Sequence, residues 1–300
     1  MGARSNGLLG ALAAYGLWGI LPLYWKLVDR VDAYSILASR IIWSFVFTIF
    51  LIIVIRQFTA FKAGLRDWRL LAKIAGASIL VAFNWGLYIS AVNADRIVDA
   101  SLGYYINPLL AVILGVVVFK ERLNRCQLLG IFLAGAGVVL KTFNYGQVPW
   151  ISLGLAGSFA IYGAIKKSIR INSLISLTLE TALLSPVALL FLGLQELGGN
   201  GAYGNSSLGI IVLLAGAGII TALPLLLFGY AAKQLPLSLL GLTQYLSPTI
   251  SLLLGTLVYH EDFGMVDLTA FAIIWVALGI FTYGQFKKPV EAKSQDIVAE

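Results

Sequence analysis

Long apolar stretches, separated by short polar breaks, follow one another along almost the whole chain. A helix needs about twenty residues to cross the roughly 30 Å hydrocarbon core of a bilayer, and most of the stretches have about that length. The first one runs to the aromatic pair Tyr24-Trp25, which is typical of a membrane interface, so we expect an uncleaved span rather than a signal peptide. The pattern predicts ten membrane-spanning helices, at residues 7–25, 34–55, 70–92, 98–119, 126–143, 150–165, 173–194, 208–231, 237–258 and 266–285.

The composition fits this pattern and excludes an ordinary soluble protein. Apolar residues make up 59% of the chain and charged residues only 12%, whereas soluble domains carry about 25% charged residues. Because the breaks are too short for an inserted domain, the sequence predicts an all-α integral membrane protein. A single cysteine, Cys126, and a single histidine, His260, leave neither a thiolate cluster nor a histidine cluster, so we expect no metal and no cofactor.

Lysine and arginine concentrate in alternate connections, and this bias sets the orientation of a membrane protein. Of the 21 basic residues, sixteen lie in one set of segments, among them Lys166 and Lys167, four lie in the other set, and Arg40 lies within a span. Both termini are therefore predicted to be cytoplasmic, in a multi-pass protein of the bacterial inner membrane. Orientation explains the net charge of +7, and we expect no nucleic-acid partner.

The chain repeats itself at an offset of 140 residues. Residues 105–108 fall on residues 245–248, and Arg40 falls on Glu180. Each half contains five spans, and this odd number places the second half upside down in the membrane. We predict a first five-helix repeat at 1–146, a second, inverted five-helix repeat at 147–286, and a disordered cytoplasmic tail at 287–300. Inverted repeats are typical of secondary transporters, which bind their substrate near the midplane between the repeats.

Short motifs occur in a fixed order over essentially the whole chain. They are Ala13-Ala14-Tyr15, Trp18-Gly19-Ile20, Arg40-Ile41-Ile42-Trp43-Ser44, Asn84-Trp85, Ala100-Ser101-Leu102-Gly103-Tyr104, Asn107-Pro108, Glu180-Thr181, Pro186, Gln244-Tyr245 and Pro248. In this order they resemble the EamA type of the drug/metabolite transporter (DMT) superfamily, and within it the RarD-like group of permeases linked to chloramphenicol sensitivity. The resemblance implies ten helices in two inverted repeats and transport of small molecules, often export, without identifying a substrate.

Arg40 and Glu180 are charges inside predicted spans, at equivalent positions of the two repeats. Each costs about 2.5–3.5 kcal/mol on insertion scales and so needs a partner or a water-filled cavity. One interpretation is that both line a central cavity and hold a polar or zwitterionic substrate between them. The other is that each is neutralised by its own neighbours and fastens helices together. Their predicted depths differ by roughly 12 Å, at about 1.5 Å per residue, so we do not expect a direct ion pair.

Polar and aromatic residues in several spans favour a cavity wall, although they would also suit packing of the bundle. We predict substrate contacts for Trp18, Asn84, Trp85, Tyr88, Tyr105, Asn107, Gln244 and Tyr245. Pro108 and Pro248 predict bends at equivalent positions, which suit a gate or merely shape the helices. Asp99 is a candidate for binding a coupling proton, or else a first-turn acid stabilised by the helix N-terminus. Glu121 and Glu261 lie in equivalent turns, and we predict that they cap those turns.

These features favour a secondary active transporter that moves small metabolites or drugs by alternating access. Export is the expected direction, and amino-acid-like or amphipathic substrates are compatible with the sequence. An integral-membrane enzyme that modifies lipid or polyprenyl substrates and a metabolite channel are the alternatives. The chain contains no HExxH, GxSxG or P-loop motif, which disfavours an enzyme and an ATP-driven pump. The expected partners are a small-molecule substrate, membrane lipid and protons, and the chain is expected to be a monomer or a homodimer.

Overall fold

The computed structural model describes residues 3–93, 97–143, 150–258 and 265–286, and every regular element within these ranges is helical. Twelve α-helices occur there, together with one 3₁₀ turn at Lys26–Val28. In chain order they are α1 (Ala3–Trp25), α2 (Ala33–Val54), α3 (Phe58–Arg66), α4 (Trp68–Asn93), α5 (Ile97–Val117), α6 (Arg125–Phe143), α7 (Trp150–Ser168), α8 (Ser173–Leu197), α9 (Leu208–Gln234), α10 (Leu237–Thr243), α11 (Leu246–Leu257) and α12 (Met265–Phe286). The predicted tail 287–300 and the connection 259–264, with His260 and Glu261, lie outside the described residues.

The helices have the length and the surface of a membrane protein. Five are long and apolar enough to cross a bilayer, and they cover Arg4–Val28, Ala33–Val54, Trp68–Tyr88, Ser173–Leu197 and Leu208–Gln234. Three shorter apolar helices cover Gly103–Val117, Arg125–Leu140 and Ala272–Gly284. Large apolar side chains such as Phe50, Leu190 and Val212 are more than half exposed, which fits a lipid environment. The all-α membrane fold is confirmed, whereas the count of ten spans stays a prediction.

The apolar stretches do not predict helix α3, because it lies in the basic break between the spans 34–55 and 70–92. Phe58, Phe61 and Leu65 recur at the spacing of one helix face, and Phe61 is buried in a cluster with residues of α8. Lys62 and Arg66 are exposed beside this face, and Lys62 Nζ lies 4.9 Å from the ring centroid of Phe58. A short helix with an apolar face flanked by basic residues is typical of a membrane interface.

The ninth predicted span, 237–258, is interrupted. Helix α10 ends at Thr243 and α11 begins at Leu246, so that Gln244 and Tyr245 form a turn just before Pro248. The equivalent helix of the first half, α5, continues without a break through Pro108. The two halves therefore differ in backbone conformation at the positions where the sequence predicts a pair of proline bends.

Helix pairing is nearly unchanged when each helix is replaced by its counterpart 140 residues away. Helix α2 packs against α8, and α6 packs against α12, so these pairs join counterparts directly. Helix α1 packs against α9 and α11, while its counterpart α7 packs against α4 and α5. The caps repeat as well: Asp32 accepts a hydrogen bond from Ser35 N at the start of α2, and Asn172 accepts one from Leu174 N at the start of α8. Most helices therefore pack against the opposite half.

Candidate functional site

A narrow cavity lies between α2 and α4 of the first half and α7, α8 and α9 of the second half. Its volume is ≈ 10 Å³, about the space that one water molecule needs. The residues that line it are Ile41, Ser44, Val81, Trp85, Tyr162, Leu177, Glu180, Thr181, Leu184, Thr221 and Leu225. We call this space the central cavity. In the conformation described, it is too small for a metabolite.

The wall of the central cavity draws equivalent positions from both halves. Four pairs of lining residues are each 140 residues apart, namely Ile41 and Thr181, Ser44 and Leu184, Val81 and Thr221, and Trp85 and Leu225. These pairs account for eight of the eleven lining residues. Such a distribution is expected of a cavity that lies on a pseudo-two-fold axis between two repeats.

Arg40 of α2 lies beside the central cavity, with its guanidinium between two tryptophan rings. Its Cζ atom is 4.7 Å from the ring centroid of Trp25 and 4.8 Å from that of Trp85, within the range of cation–π attraction. Its Nε donates a hydrogen bond to Thr221 Oγ1 at 2.9 Å, and Tyr88 lies within electrostatic reach. Among the side chains that the structure describes, no carboxylate is within salt-bridge distance of Arg40.

Glu180 of α8, the counterpart of Arg40, is neutralised by a lysine. Lys166 Nζ donates to Glu180 Oε1 at 2.5 Å, and the two side chains are 1% and 2% exposed. Ser176 Oγ donates to the same oxygen at 2.9 Å and accepts from Lys166 Nζ at 2.8 Å. Tyr162 Oη donates to Oε2 at 3.1 Å. Both carboxylate oxygens therefore have polar partners, as a buried charge requires.

The position of Lys166 corrects the assignment of basic residues to connecting segments. The sequence placed Lys166 with the cytoplasmic connections, but it lies in the last turn of α7 and is buried. The sixth predicted span, 150–165, ends too early, because α7 extends to Ser168. Ser176 and Glu180, one helical turn apart on α8, were a signal that could have identified a polar site there. As predicted, Arg40 and Glu180 do not pair with each other.

Several of the predicted contact residues join helices away from the central cavity. Asn84 Nδ2 donates to Leu155 O and Ser158 Oγ, both at 2.8 Å, and so ties α4 to α7. Asn107 Nδ2 donates to Ala156 O at 2.7 Å and ties α5 to α7. Only Trp85 and Glu180, of the predicted contact residues, are among those that line the cavity described above.

Tyrosines at equivalent positions bind each other. Tyr245 Oη donates to the carbonyl oxygen of Tyr105 at 2.9 Å, and the two residues are 140 positions apart. Both are buried, as are Gln244 and Pro108 near them. This contact joins the turn between α10 and α11 to α5.

Trp18 belongs to an aromatic cluster that extends to the Glu180 site. Its ring centroid lies 5.7 Å from that of Phe228 and 5.9 Å from that of Phe159. Tyr162 stacks on Phe228 at 6.0 Å and donates its hydroxyl to Glu180. The sequence does not single out Tyr162, because an aromatic residue within a span is as compatible with packing as with a site. The side chain of Asp99, the predicted proton site, lies outside the described residues, although its backbone belongs to α5.

A wider cavity of ≈ 460 Å³ opens where α7 ends and α8 begins. We call it the basic vestibule, and its lining residues are Leu51, Arg170, Ile171, Asn172, Ser173, Leu174, Leu226, Tyr230 and Lys233. Lys233 Nζ donates to Ser173 Oγ at 3.2 Å and to the carbonyl oxygen of Ile171. The basic vestibule lies at the end of the bundle that the charge bias predicts to be cytoplasmic.

Glu121 caps a helix of the other half instead of its own turn. Its carboxylate accepts hydrogen bonds from Leu237 N at 2.5 Å and Ser238 N at 3.0 Å, in the first turn of α10. Lys167 Nζ lies 3.7 Å from the same carboxylate and donates to the carbonyl oxygen of Leu235. Glu121 therefore does cap a helix N-terminus, which a negative charge stabilises. The prediction was wrong about which one, because the capped helix, α10, belongs to the other half.

Fold and site together define a class: a multi-pass α-helical membrane protein with a small, partly polar cavity enclosed by two halves. The family model of EamA-like transporters matches residues 5–143. The uncharacterized transporter YojE of Bacillus subtilis is 46% identical over 298 residues, which cover 96% of this chain and 97% of YojE. Protein RarD of Escherichia coli is 42% identical over 276 residues, which cover 92% of this chain and 93% of RarD. The chain belongs to the EamA-like transporter family.

A solved crystal structure has the same fold. It superposes with a TM-score of 0.69 at 19% sequence identity, and the match covers 93% of this chain and 98% of the other. The family and the names of these relatives support a membrane transporter. The expected relation to the RarD-like group is confirmed as well.

Proposed function

We propose that this protein is a secondary active transporter of the bacterial inner membrane. In this proposal, a small metabolite or drug crosses through the central cavity by alternating access, and Arg40 binds an anionic group of the substrate. One observation carries the proposal: a guanidinium held between two tryptophan rings, beside a cavity that both halves build, has no carboxylate partner among the described side chains. Export, with both termini in the cytoplasm, is the expected direction.

The setting of Arg40 is suited to a ligand rather than to helix attachment. Its bond to Thr221 uses Nε, whereas the forked terminal nitrogens are the part of a guanidinium that binds a carboxylate or phosphate bidentately. The rings of Trp25 and Trp85 hold the cation in place without neutralising it. An anion that reaches the cavity would therefore meet a preformed binding group. Glu180, which was expected to contact substrate too, already has Lys166 as its counter-ion.

The two-repeat organisation supports alternating access. The family model ends at residue 143, close to the predicted boundary at 146, as expected if the first half is a unit. Counterpart positions line the central cavity, and helix pairing is nearly unchanged when the halves are exchanged. A cavity of ≈ 10 Å³ must widen to admit substrate. This need for a conformational change favours a carrier over a permanently open channel.

The proposal is tested by counterflow in proteoliposomes, with a panel of amino acids, nucleobases and chloramphenicol-like drugs. We expect saturable counterflow for an anionic or zwitterionic member of the panel. Non-saturable flux would indicate the alternative, a channel, and no flux with any member would contradict the proposal for these substrate classes.

Arg40→Lys tests the binding group. Lysine keeps the charge but lacks the planar fork and the ring stacking of arginine, so we expect affinity for the anionic substrate to fall about tenfold or more, or about 1.4 kcal/mol of binding free energy. The matched control is Arg69→Lys, because Arg69 also lies over a tryptophan ring, that of Trp68 at 5.7 Å, but at an exposed position. Equal substrate affinity of the Arg40→Lys and Arg69→Lys variants would show that Arg40 does not bind the substrate.

A further inference from the structure

The Lys166–Glu180 pair is buried between α7 and α8, and α8 is long and apolar enough to cross a membrane, in which charges are costly. Apolar residues of similar volume often replace buried ion pairs in proteins without loss of stability. Holding α7 and α8 together therefore does not by itself explain why two charged residues occupy this position. In membrane proteins, ionisable side chains inside the spans often mark paths for ions or protons.

The carboxylate of Glu180 connects the pair to the central cavity. Glu180 and Tyr162 both line that cavity, and the Tyr162 hydroxyl binds the Oε2 atom of Glu180. The other oxygen, Oε1, binds Lys166 and Ser176. The Glu180 carboxylate thus has one oxygen, Oε2, hydrogen-bonded to a residue of the cavity wall, and the other, Oε1, hydrogen-bonded to the buried lysine.

Lys166 connects the pair to the basic vestibule. It packs against Gly229 of α9, where an added β-carbon would lie 3.4 Å from Lys166 Cε and 3.5 Å from Ser173 Oγ. Ser173 lines the basic vestibule, so Gly229 lies next to both the lysine and a vestibule hydroxyl. Lys233, another vestibule residue, is within electrostatic reach of both Lys166 and Glu180. The ion pair therefore lies between the two cavities.

We propose that Glu180, with Lys166 as its counter-ion, is the proton-binding site that couples this transporter to the proton gradient. The proposal rests on the proposed function as a secondary transporter. A proton from the vestibule forms an O–H bond with the carboxylate, and the neutral acid no longer attracts Lys166. The ammonium group then turns to Ser173 and the vestibule water. When the central cavity opens on the other side, the O–H bond breaks, the proton enters the water there, and the ion pair forms again.

The described groups around Glu180 allow this exchange. Helix α7 contributes Lys166 and Tyr162, and α9 contributes Lys233. Helix α4 contributes only an uncharged hydroxyl, that of Ser78, which binds the carbonyl oxygen of Glu180. Helix α3 contributes apolar contacts to α8 near Gly64. Helix α2 contributes Arg40, which lies beside the cavity and donates a hydrogen bond to Thr221 of α9. Lys166 is the one cation in direct contact with the Glu180 carboxylate among these residues.

The first experiment needs no substrate. Infrared difference spectra of the full-length protein in nanodiscs are recorded between mildly alkaline and mildly acidic pH. We compare the wild type with the double variant Lys166→Gln, Glu180→Gln, which removes both charges and avoids an unpaired buried lysine. The matched control is Glu196→Gln, on the same helix, where the carboxylate binds Tyr203 N and Gly204 N.

We expect a band of a newly protonated carboxyl group in the wild type and in Glu196→Gln, and its loss in the double variant. A band that persists in the double variant, or no such band in the wild type, overturns the proposal.

The second experiment separates proton coupling from transport itself. Proteoliposomes are loaded with the substrate identified by the counterflow panel, and uptake is measured without a pH gradient and with a gradient of either sign. We expect the gradient-driven accumulation of the double variant, expressed relative to its own counterflow, to fall to the level without a gradient. Accumulation like that of the wild type, or loss of counterflow in a folded double variant, contradicts the proposal. Absence of counterflow in the wild type contradicts the proposed function instead, and the infrared experiment still tests the proton site.

Discussion

Two charges at equivalent positions are stabilised in different ways in this protein. Arg40 is held by two aromatic faces and a threonine hydroxyl, and Glu180 by a lysine, a serine and a tyrosine. The sequence predicts that both charges need partners, because the membrane makes an isolated charge costly. It does not identify Lys166 as one of them, because a lysine in the last turn of a helix and a lysine in the following loop look alike in a charge count.

The buried pair predicts a strongly non-additive effect on stability. Lys166→Met leaves Glu180 as an unpaired buried charge and should lower the free energy of unfolding by about 3–5 kcal/mol. The double variant Lys166→Met, Glu180→Leu removes both charges and should recover most of that loss. Thermal unfolding of the purified protein measures the difference. Lys167→Met is the control, since Lys167, the neighbour of Lys166, is only half-buried and lies 3.7 Å from Glu121. Additive single effects at Lys166 and Glu180 would be inconsistent with the pair.

At the scale of elements, close approach of helices depends on small residues at a few positions. Gly218 of α9 lies against the backbone of α2, where a β-carbon on it would be 2.6 Å from Ser44 N and even closer to Trp43. Ser44 Oγ also donates to the Gly218 carbonyl at 2.9 Å. Apolar length alone predicts that α2 and α9 exist. It does not predict this crossing, because glycine is frequent in membrane helices whether or not another backbone approaches.

Gly218→Ala should therefore force α2 and α9 apart. We expect a loss of about 1–3 kcal/mol in the free energy of unfolding, as for overpacking elsewhere. Affinity for the anionic substrate should fall too, because Thr221, the partner of Arg40, lies one turn away on α9. Gly193→Ala on α8 is the matched control, since nothing lies within 4 Å of its added β-carbon, and it should be neutral or stabilising by about 0.5–1 kcal/mol. Equal thermal stability of the two variants would contradict the crossing.

At the scale of the whole molecule, the 140-residue offset predicts more than the individual motifs do. The same offset recurs in the structure, in the equivalent caps of α2 and α8, the direct pairing of counterpart helices and the paired lining of the central cavity. It does not anticipate that α5 stays continuous while α10 and α11 are separated. A repeat in sequence constrains what the halves have in common and leaves open where they differ in conformation.

Orientation is tested with single cysteines in a Cys126→Ser background, because Cys126 is partly exposed. The charge bias predicts that a cysteine at Asn200 is labelled by a membrane-impermeant reagent from the periplasmic side. A cysteine at Lys62, on the exposed face of α3, should be labelled only after the membrane is opened. Labelling of both sites before opening, or the reverse pattern, would mean that the orientation is wrong.

The hydrogen bond from Tyr245 to its own counterpart, Tyr105, has a consequence for the energetics of the transport cycle. In an ancestor made of two identical chains, the reciprocal bond, from Tyr105 to the carbonyl oxygen of Tyr245, would have the same energy. Two conformations related by the pseudo-two-fold axis would then have equal energy, and each would be occupied half of the time. Where the halves differ in sequence the two energies need not be equal, so that a residue present in one half alone acts as a bias. In the alternating-access cycle proposed above, an arginine in one half and a glutamate at the equivalent position of the other would help to set the resting state.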